Sequence, residues 1–258
     1  MPSPLTSLRA DALARVRVLA TDIDDTMTTH AKLTGPVAAA VAELDSAGIE
    51  VVLVTGRPAG FVAGLVTYLP GVSRGIAENG GAVVSAHGAV AQMDPSQVEA
   101  LRERLLACER EILATVAEAR PTGDRYARLT DVTFQVAGLS PAARSELDRI
   151  AARWGFATVA SSVHVHVHTP GVTKATALVH LLASVSPPVE PDEVLTAGDS
   201  LTDAPIFDPR HFPLSVGVAN ISGYLDKIAH APAYLTSAPE GGGFLEIARA
   251  LLRAKGRA

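Results

Sequence analysis

Three aspartates lie within four positions of the sequence, directly after an apolar segment. The stretch "TDIDDTMTT" (21–29) contains Asp22, Asp24 and Asp25, and the run Val16–Ala20 before it is typical of a buried strand. Asp22 and Asp24 are two positions apart, so their side chains point the same way if the strand continues. Paired carboxylates can hold a hard cation such as Mg²⁺, and a carboxylate can also be the covalent nucleophile in phosphoryl transfer. An acidic turn that caps a loop explains the same residues equally well.

Three further segments place polar side chains beside apolar elements. Thr55 and Gly56 follow an apolar strand candidate, and Lys174 begins a helix candidate. Asp199 and Asp203 follow a third apolar strand and are four positions apart. A Thr hydroxyl, backbone N–H groups and a lysine can hold phosphate oxygens, and two more acids can complete a Mg²⁺ site. Taken singly, each segment has an ordinary structural explanation, a helix cap or a solvated surface residue.

Both ends of the chain alternate between apolar strands and helices. The strand candidates 16–20 and 49–55 are joined by the helix candidate 35–48, which makes one strand–helix–strand unit of a parallel sheet. The alternation resumes after residue 170 and continues to a carboxyl-terminal helix. These segments predict an α/β fold with a parallel-sheet core and helices on both faces. Since the carboxyl ends of parallel strands meet at one edge, we expect the polar segments to converge there.

The middle of the chain differs in kind. A long charged helix candidate (94–120) precedes the strand candidate 129–138, which alternates polar and apolar residues as a sheet with one wet face requires. Another helix candidate and two short strand candidates follow. We therefore predict a small α+β module at 82–169, inserted between the two parts of the core at 1–81 and 170–258.

A second candidate metal site is the segment "VHVHVHT" (163–169). Its three histidines, His164, His166 and His168, fall on one face of a strand, and two neighbours could share a zinc ion. The outer two are separated by about 13 Å along a strand, which is too far for all three to bind one ion. A polar strand face is the simpler interpretation.

The composition argues against several classes of function. The net charge of −5 and the pI near 5.9 do not suit a protein that binds nucleic acid through a basic face. No apolar run reaches the roughly 20 residues that span a bilayer, and residues 1–18 lack the order of a signal peptide. We therefore expect no membrane partner and a cytoplasmic location. The one cysteine, Cys108, excludes an internal disulfide and a thiolate zinc cage, so we expect it to pack in a core.

In their order along the chain, the four polar segments resemble the motifs of the haloacid dehalogenase superfamily of phosphohydrolases. The first motif, D-x-D-x-T after a strand, is matched by "DIDDT" (22–26), and the second, a Thr or Ser after another strand, by Thr55. The third, a lone Lys, is matched by Lys174, and the fourth, G-D-x-x-x-D, by "GDSLTD" (198–203). The resemblance spans the whole chain.

The position of the inserted module narrows the resemblance. The module lies between the second and third motifs, where the family has its type-two caps, and its helices and strands look like the IIB subclass. The segment "GIAENGGAVV" (75–84) also resembles the stretch that leads into such caps. The implied fold is a Rossmann-like core with an inserted type IIB cap, as in Cof-type sugar phosphatases and sucrose-phosphate phosphatases. Substrate choice would then fall to cap residues, and Arg125, Tyr126 and Arg128 are candidates unless they form a solvated loop.

The resemblance also implies catalytic roles. Asp22 attacks the phosphorus and forms an aspartyl-phosphate, while Asp24 is the general acid and then the general base. Thr55, Gly56 and Lys174 hold the transferring phosphoryl group. Phosphoryl transfer needs positioning and charge neutralisation above all, which these residue types can supply.

The implied cofactor is Mg²⁺. Its ligands are Asp22, the backbone carbonyl of Asp24, and Asp199, with Asp203 supporting the site. The implied protein is a Mg²⁺-dependent phosphatase of a small phosphate ester, such as a sugar phosphate, and either a monomer or a homodimer. A phosphomutase on the same fold and a non-catalytic sensor of phosphorylated ligands are the alternatives.

Two positions depart from the family pattern. Asp25 stands where the family usually has Gly, and we expect its side chain to point away from the site. Thr202 stands where close relatives often have Asn. Neither departure removes a residue that the chemistry requires.

Overall fold

A computed structural model gives the fold and describes residues 1–85, 88–91, 95–161 and 163–257. In these ranges the strands form two separate sheets, a large one and a small one. In chain order the strands are β1 (Ser3–Pro4), β2 (Val18–Thr21), β3 (Glu50–Val54), β4 (Val72–Ala77), β5 (Ala82–Ser85), β6 (Gly88–Ala91), β7 (Asp131–Gln135), β8 (Ala157–Ala160), β9 (His164–His168), β10 (Val194–Gly198), β11 (Leu214–Gly217) and β12 (Tyr234–Leu235).

Helices surround the sheets. In chain order the α-helices are α1 (Ala10–Arg15), α2 (Gly35–Ser46), α3 (Ala59–Tyr68), α4 (Pro95–Thr115), α5 (Pro141–Arg153), α6 (Lys174–Ala183) and α7 (Glu240–Ala254). The segment Leu201–Phe207, which the sequence predicts to be helical, is a 3₁₀-helix with Pro205 inside it. Proline has no N–H to donate, which suits this short, tight helix better than a regular α-helix.

The large sheet has the strand order β1-β12-β11-β10-β2-β3-β4-β5-β6. The pairs from β1 through β4 in this order are parallel, whereas β5 and β6 each pair antiparallel to their neighbours. Strands β10, β2 and β3 therefore lie side by side in the middle of the sheet. Their carboxyl ends therefore lie next to one another at one edge of the sheet.

The central strands are apolar on both faces because helices cover both faces. In β2, Leu19 joins the core that contains Leu44 of α2 and Phe244 of α7. Its neighbours Val18 and Ala20 join a second core with residues of α6. Successive strand residues point to opposite faces, so a continuous apolar run is required here.

The small sheet has the order β7-β9-β8, with antiparallel pairs throughout. One face packs against α4 and α5, and Val165 and Val167 of β9 point into this core. The three histidines of β9 alternate with these valines and so lie on the other face. Cys108 of α4 is buried in the same core, which confirms the expectation of a packing residue.

The large sheet continues beyond the predicted start of the inserted module. Strand β5 pairs with β4, and β6 pairs with β5, so residues as far as Ala91 belong to the large sheet. The predicted division at residue 82 therefore falls inside a run of paired strands. The assignment of 1–81 and 170–258 to a core and 82–169 to a cap stays a prediction.

The predicted fold class is confirmed. A mostly parallel sheet carries helices on both faces, and a second α+β unit lies between β6 and α6 in the chain. None of the described helices combines the length and the hydrophobicity that crossing a lipid bilayer demands.

Candidate active site

The three central strands bring three of the polar segments together. Asp22 follows β2, Thr55 follows β3 and Asp199 follows β10. These strands are direct neighbours in the order β10-β2-β3. All three residues line one cavity at the carboxyl edge of the sheet, together with Lys174 at the start of α6. The predicted convergence of the polar segments therefore occurs.

Lys174 connects two of the acids. Its Nζ donates to Asp22 Oδ1 at 2.8 Å and to Asp203 Oδ1 at 2.6 Å, and its side chain is 1% exposed. The helix that carries it begins with a capping box between Thr173 and Thr176, which fixes the first turn. The lysine is thus a buried counter-charge to the acids and not a solvated surface residue.

Asp203 organises the loop that follows β10. Its Oδ2 accepts hydrogen bonds from the backbone N–H groups of Asp199 and Ser200, at 3.1 and 3.0 Å, and from Ser200 Oγ at 2.9 Å. A Cβ on Gly198 would lie 2.5 Å from Asp203 Cγ. The spacing G-D-x-x-x-D therefore has a steric cause, since only glycine leaves room for this carboxylate.

Asp199 is fixed by residues from two other segments. Its Oδ1 accepts from Thr26 Oγ1 at 2.9 Å, and its Oδ2 accepts from Asn220 Nδ2 at 3.1 Å. Asn220 Nδ2 also donates to the backbone carbonyl of Asp25 at 3.0 Å. Asn220 thereby joins the loop after β2 to the loop after β10, a role that the sequence analysis missed.

Asp24 binds Arg57 through a two-pronged ion pair. Arg57 Nε donates to Asp24 Oδ2 at 2.7 Å, and Arg57 Nη2 donates to Asp24 Oδ1 at 2.6 Å. Both side chains are about one-third exposed. The carboxylate is therefore oriented by a planar guanidinium at the border of the cavity.

Thr55 and Gly56 form a tight loop between β3 and α3. Thr55 is buried, and its Oγ1 accepts from the backbone N–H of Arg57 at 3.1 Å. A Cβ on Gly56 would lie 3.2 Å from the side chains of Asn79 and His166. A side chain at this position would crowd Asn79 and His166, so glycine favours the close approach of these groups on the cavity side.

Three of the acids could share a metal ion. Asp22, Asp199 and Asp203 each offer one carboxylate oxygen, and these oxygens all lie within 4.8 Å of one another. Hard cations such as Mg²⁺ prefer oxygen ligands of this kind. Over the described ranges this is the one such cluster of His, Cys, Asp and Glu side chains. The role of the Asp24 backbone carbonyl as a ligand stays a prediction.

Comparisons with known proteins agree with this geometry. The family model for haloacid dehalogenase-like hydrolases matches residues 19–120. A phosphoglycolate phosphatase from Methanothrix thermoacetophila is 28% identical over 234 residues, which cover 90% of this chain and 95% of the relative. A phosphoglycolate phosphatase from Methanoculleus marisnigri is 26% identical over 234 residues, with 90% and 94% coverage. The first part of the chain therefore matches the haloacid dehalogenase-like hydrolases, and almost its whole length is similar to phosphatases.

Solved structures share the fold of this chain. Thermoplasma acidophilum 0175 has a TM-score of 0.73 at 20% identity, covering 92% of this chain and 98% of that one. The sucrose-phosphatase of Synechocystis, solved with sucrose and phosphate, has a TM-score of 0.69 at 17% identity, with 91% and 97% coverage. The predicted likeness to the superfamily and the predicted class of enzyme, a phosphatase, are thus confirmed. The shared fold agrees with the predicted type IIB subclass.

The buried charges of the candidate site are only partly balanced. Burial raises the pKa of Asp22 to about 7, with Lys174 opposing the shift and Asp203 and Asp24 adding to it. Burial, with Asp203 and Asp22, raises the pKa of Asp199 to about 9. Burial disfavours the charge of Lys174, yet Asp203 and Asp22 outweigh it and raise the pKa of the ammonium. One lysine among three acids leaves a net negative site that suits a divalent cation.

The two departures from the family pattern have physical explanations. Asp25 has a φ of +56°, a left-handed conformation that glycine adopts without strain. Asp25 is among the residues that line the cavity, and the direction of its side chain stays a prediction. Thr202 Oγ1 is 2.9 Å from Ser200 Oγ, and Thr202 also lines the cavity. The threonine therefore bonds within its own loop.

The histidines of β9 do not form a metal site with one another. No metal-type cluster in the described ranges includes them. His166 Nδ1 lies 2.8 Å from Asp131 Oδ2, and His168 Nδ1 lies 3.0 Å from the backbone carbonyl of Thr169. His164 and His166 line the cavity, so this polar strand face contributes to the candidate site.

The predicted specificity residues of the cap lie elsewhere. Arg128 is buried, and its guanidinium binds Asp124, Asp131 and the backbone carbonyl of Gly56. Arg125 pairs with a carboxylate of α4, and Tyr126 is 87% exposed. None of the three is among the cavity-lining residues. The residues that the small sheet and its loops contribute to the cavity are Ser161, Val163, His164 and His166.

Sequence reasoning missed several cavity residues. Arg57 was part of a quoted motif but received no role, and Asn79 was read only as part of the segment that leads into the cap. A signal existed for Arg57, because it follows directly after the Thr–Gly pair at a strand end. No sequence signal marked the pairing of His166 with Asp131, since the two lie on strands 35 residues apart.

Proposed function

We propose that this protein is a Mg²⁺-dependent phosphatase that hydrolyses a small phosphorylated carboxylic acid, with 2-phosphoglycolate as the first substrate to test. The observation that carries this proposal is the setting of Asp22. One carboxylate oxygen is fixed by Lys174, and the other accepts no hydrogen bond from the described residues. Asp22 shares its cavity with Asp24, so a nucleophile and a second acid face the same space.

The names of the relatives support a small acid as substrate, because those from Methanothrix and Methanoculleus are both phosphoglycolate phosphatases. A sugar phosphate, the substrate class predicted from the sequence, stays an untested prediction.

The proposed reaction has two steps on the chain's own residues. The free oxygen of Asp22 attacks the phosphorus, and the bond from phosphorus to the ester oxygen breaks. Asp24, whose two oxygens both accept from Arg57 in the structure, must first release one of these bonds and take a proton from solvent, and it gives this proton to the leaving oxygen. Asp24, again a carboxylate that Arg57 orients, then takes a proton from a water molecule whose oxygen attacks the phosphorus of the aspartyl-phosphate. Inorganic phosphate leaves and the Asp22 carboxylate is restored.

The remaining residues hold charge and position. Asp22 and Asp199 would hold Mg²⁺ with Asp203 behind them, and the bound ion neutralises the oxygens of the transferring group. Lys174 supplies a fixed positive charge next to the nucleophile. Thr55 and Gly56, at the end of the neighbouring strand, would bind phosphoryl oxygens through a hydroxyl and an N–H.

The test is the release of inorganic phosphate from a panel of phosphate esters with MgCl₂ present. The panel contains 2-phosphoglycolate, glucose 6-phosphate, glucose 1-phosphate and p-nitrophenyl phosphate, and the control is the Asp22→Asn protein. We expect the highest kcat/KM for 2-phosphoglycolate and no turnover by the control. Hydrolysis of the sugar phosphates alone would reject the small acid but keep the phosphatase.

The same panel separates the two alternatives. Conversion of glucose 1-phosphate into its isomer without phosphate release would identify a phosphomutase. Binding without turnover of any ester above the Asp22→Asn control would identify a non-catalytic sensor. The predicted small-molecule partner, the monomeric or homodimeric state and the cytoplasmic location stay predictions.

A further inference from the structure

Asn79 has a buried side chain without a protein partner. It is 6% exposed and lines the cavity, yet neither Nδ2 nor Oδ1 makes a hydrogen bond with the described residues. Its backbone is fixed, because its N–H donates to the carbonyl of Thr55 at 3.0 Å. Buried amides are almost always hydrogen-bonded in folded proteins. An unpaired amide that faces a cavity therefore points to a ligand that completes it.

His166 reaches the same place from the small sheet. Its Cε1 and both amide atoms of Asn79 lie 3.2 Å from the point that a Cβ on Gly56 would occupy. The imidazole of His166 and the amide of Asn79 thus converge over the Gly56 backbone. Gly56 follows Thr55, which would bind the phosphoryl group. The rest of a substrate bound at Thr55 would therefore extend towards Asn79 and His166.

The orientation of His166 is set by a buried ion pair. Asp131 Oδ2 lies 2.8 Å from His166 Nδ1, and Arg128 Nη1 donates to Asp131 at 3.0 Å. Burial opposes the ionisation of Asp131, but Arg128 and His166 outweigh it and lower the pKa of this carboxyl. Asp131 is therefore ionised and accepts a proton-bearing Nδ1. The other ring nitrogen, Nε2, has no hydrogen-bond partner within the described part of the chain and remains for a ligand.

The cavity separates its charges between two walls. All of its acidic lining residues come from the loops after β2 and β10, beside the candidate metal site. The wall made by Gly56, Asn79 and the small sheet carries amide, hydroxyl and imidazole groups and no carboxylate among its lining residues. An anionic group of a ligand is repelled by the first wall and can be bound by the second.

We propose that Asn79 and His166 bind the carboxylate of the leaving group and so determine the substrate of the phosphatase proposed above, on which this inference rests. Asn79 donates from Nδ2 to one carboxylate oxygen. When both of its ring nitrogens carry a proton, His166 donates from Nε2 to the carboxylate while Nδ1 donates to Asp131. Asp131 is the positioning residue for this contact, since it touches His166 and not the substrate.

The test compares two esters that differ only at this group. Ethyl phosphate has a methyl group in the place of the carboxylate of 2-phosphoglycolate. We expect the wild-type protein to prefer 2-phosphoglycolate in kcat/KM by at least about 100-fold, because a site that pairs buried polar groups with its substrate rejects an analogue without the matching group by as much as about 10⁴–10⁵. Asn79 has a left-handed backbone with a φ of +54°. Asn79→Asp keeps the size and tolerates this backbone, but replaces a donor with an anion. This variant should lower the preference for 2-phosphoglycolate over ethyl phosphate at least about 30-fold. Asp131→Asn should have the same effect, because it removes the group that orients His166.

The matched control is His168→Asn, on the same strand and outside the cavity. It should leave the ratio of the two kcat/KM values within about twofold of wild type, because residues that do not contact the ligand rarely alter such a ratio. A wild-type protein that hydrolyses both esters equally well overturns the inference and leaves the phosphatase standing. An unchanged ratio in Asn79→Asp also overturns it.

A binding measurement separates this inference from the proposed function. The Asp22→Asn protein, with and without Asn79→Asp, is titrated with 2-phosphoglycolate and with ethyl phosphate in a calorimeter. If the Asp22→Asn protein binds 2-phosphoglycolate more tightly than ethyl phosphate, and Asn79→Asp removes this difference, the inference is supported even if no ester is ever turned over. Equal affinity for the two esters overturns it whatever the activity of the wild type.

Discussion

Arg57 holds both carboxylate oxygens of Asp24, at 2.7 Å from Nε and at 2.6 Å from Nη2. The pair joins the loop after β2 to the loop after β3, and both loops line the cavity. Asp24 raises the pKa of Arg57, so the guanidinium keeps its charge. A planar two-point contact fixes the plane of the carboxylate, which a single-point contact cannot do.

Arg57→Lys should therefore slow proton transfer more than phosphoryl binding. We expect kcat for 2-phosphoglycolate to fall about 10–100-fold, since general acid catalysis contributes on the order of 10²–10⁴ and is weakened here but not removed. The leaving alkoxide of this substrate needs a proton, whereas p-nitrophenolate does not. Steady-state kinetics with both substrates should show the smaller loss for p-nitrophenyl phosphate. Equal losses for the two would assign Arg57 to binding and not to the orientation of Asp24.

The aspartate triplet should divide into two essential acids and one dispensable acid. Asp22→Asn and Asp24→Asn should each lower kcat by roughly 10³-fold or more, because they remove the nucleophile and the proton donor. Asp25→Gly should keep turnover within about threefold and keep or raise the melting temperature, because glycine accepts the φ of +56° without strain. Steady-state kinetics and thermal melts of the three variants test this division. A folded but inactive Asp25→Gly protein would contradict this division.

Lys174→Met should destabilise the protein in a pH-dependent way. Removing one partner of a buried ion pair costs about 3–5 kcal/mol because the other charges stay buried. The loss should be largest near neutral pH and smaller in acid, where the Asp22 carboxyl, with its pKa raised to about 7, binds a proton and becomes neutral. Urea unfolding across this pH range measures the effect. The matched control is Lys227→Met, because Lys227 is exposed, and its effect should be near zero throughout.

Metal binding and stability should depend on pH together. The pKa of Asp22 is raised to about 7 and that of Asp199 to about 9, both above the value of 3.8 for an unfolded chain. Without metal, the folded state then binds more protons than the unfolded state, so this contribution to stability is lost as pH rises through those values. The melting temperature in EDTA should fall from acidic to alkaline pH.

Added MgCl₂ should reverse that fall. The ion must displace the protons on Asp22 and Asp199, so its affinity, and the rise in melting temperature it produces, should grow with pH over the same window. Melts with and without MgCl₂ at three pH values measure both trends. In the Asp199→Asn protein, the melting temperature in EDTA should fall less with pH, and the rise produced by MgCl₂ should grow less with pH. A magnesium effect that is the same at all pH values would contradict the assignment of these acids as ligands.

Much of the site could be predicted because its residues follow apolar strands. Asp22, Thr55 and Asp199 each come directly after a run that must be buried, and parallel strands bring their carboxyl ends to one edge. Lys174 could be placed because it begins a helix that packs on the same sheet. The positions of these residues follow from the local sequence pattern and from the topology of a parallel sheet, and both can be inferred from the sequence.

The other contacts depend on how the small sheet packs against the large one. The convergence of Asn79 and His166 over Gly56 requires three segments that are far apart in the chain. Strand β5 was assigned to the inserted module, because a short apolar strand does not reveal which neighbour it will pair with. The two-residue strands β1 and β12 are too short to produce a recognisable pattern.

Glu78 and Arg128 join the two units at the candidate phosphoryl loop. Glu78 accepts hydrogen bonds from the backbone N–H groups of Leu129 and Thr130, and Arg128 donates to the carbonyl of Gly56 at 3.1 Å. A movement that carried the small unit away from the large sheet would have to break the bond to Gly56. The position of the small unit and the backbone of the loop at Gly56 are therefore coupled, so that a displacement of this unit would also free the loop proposed to hold the phosphoryl group.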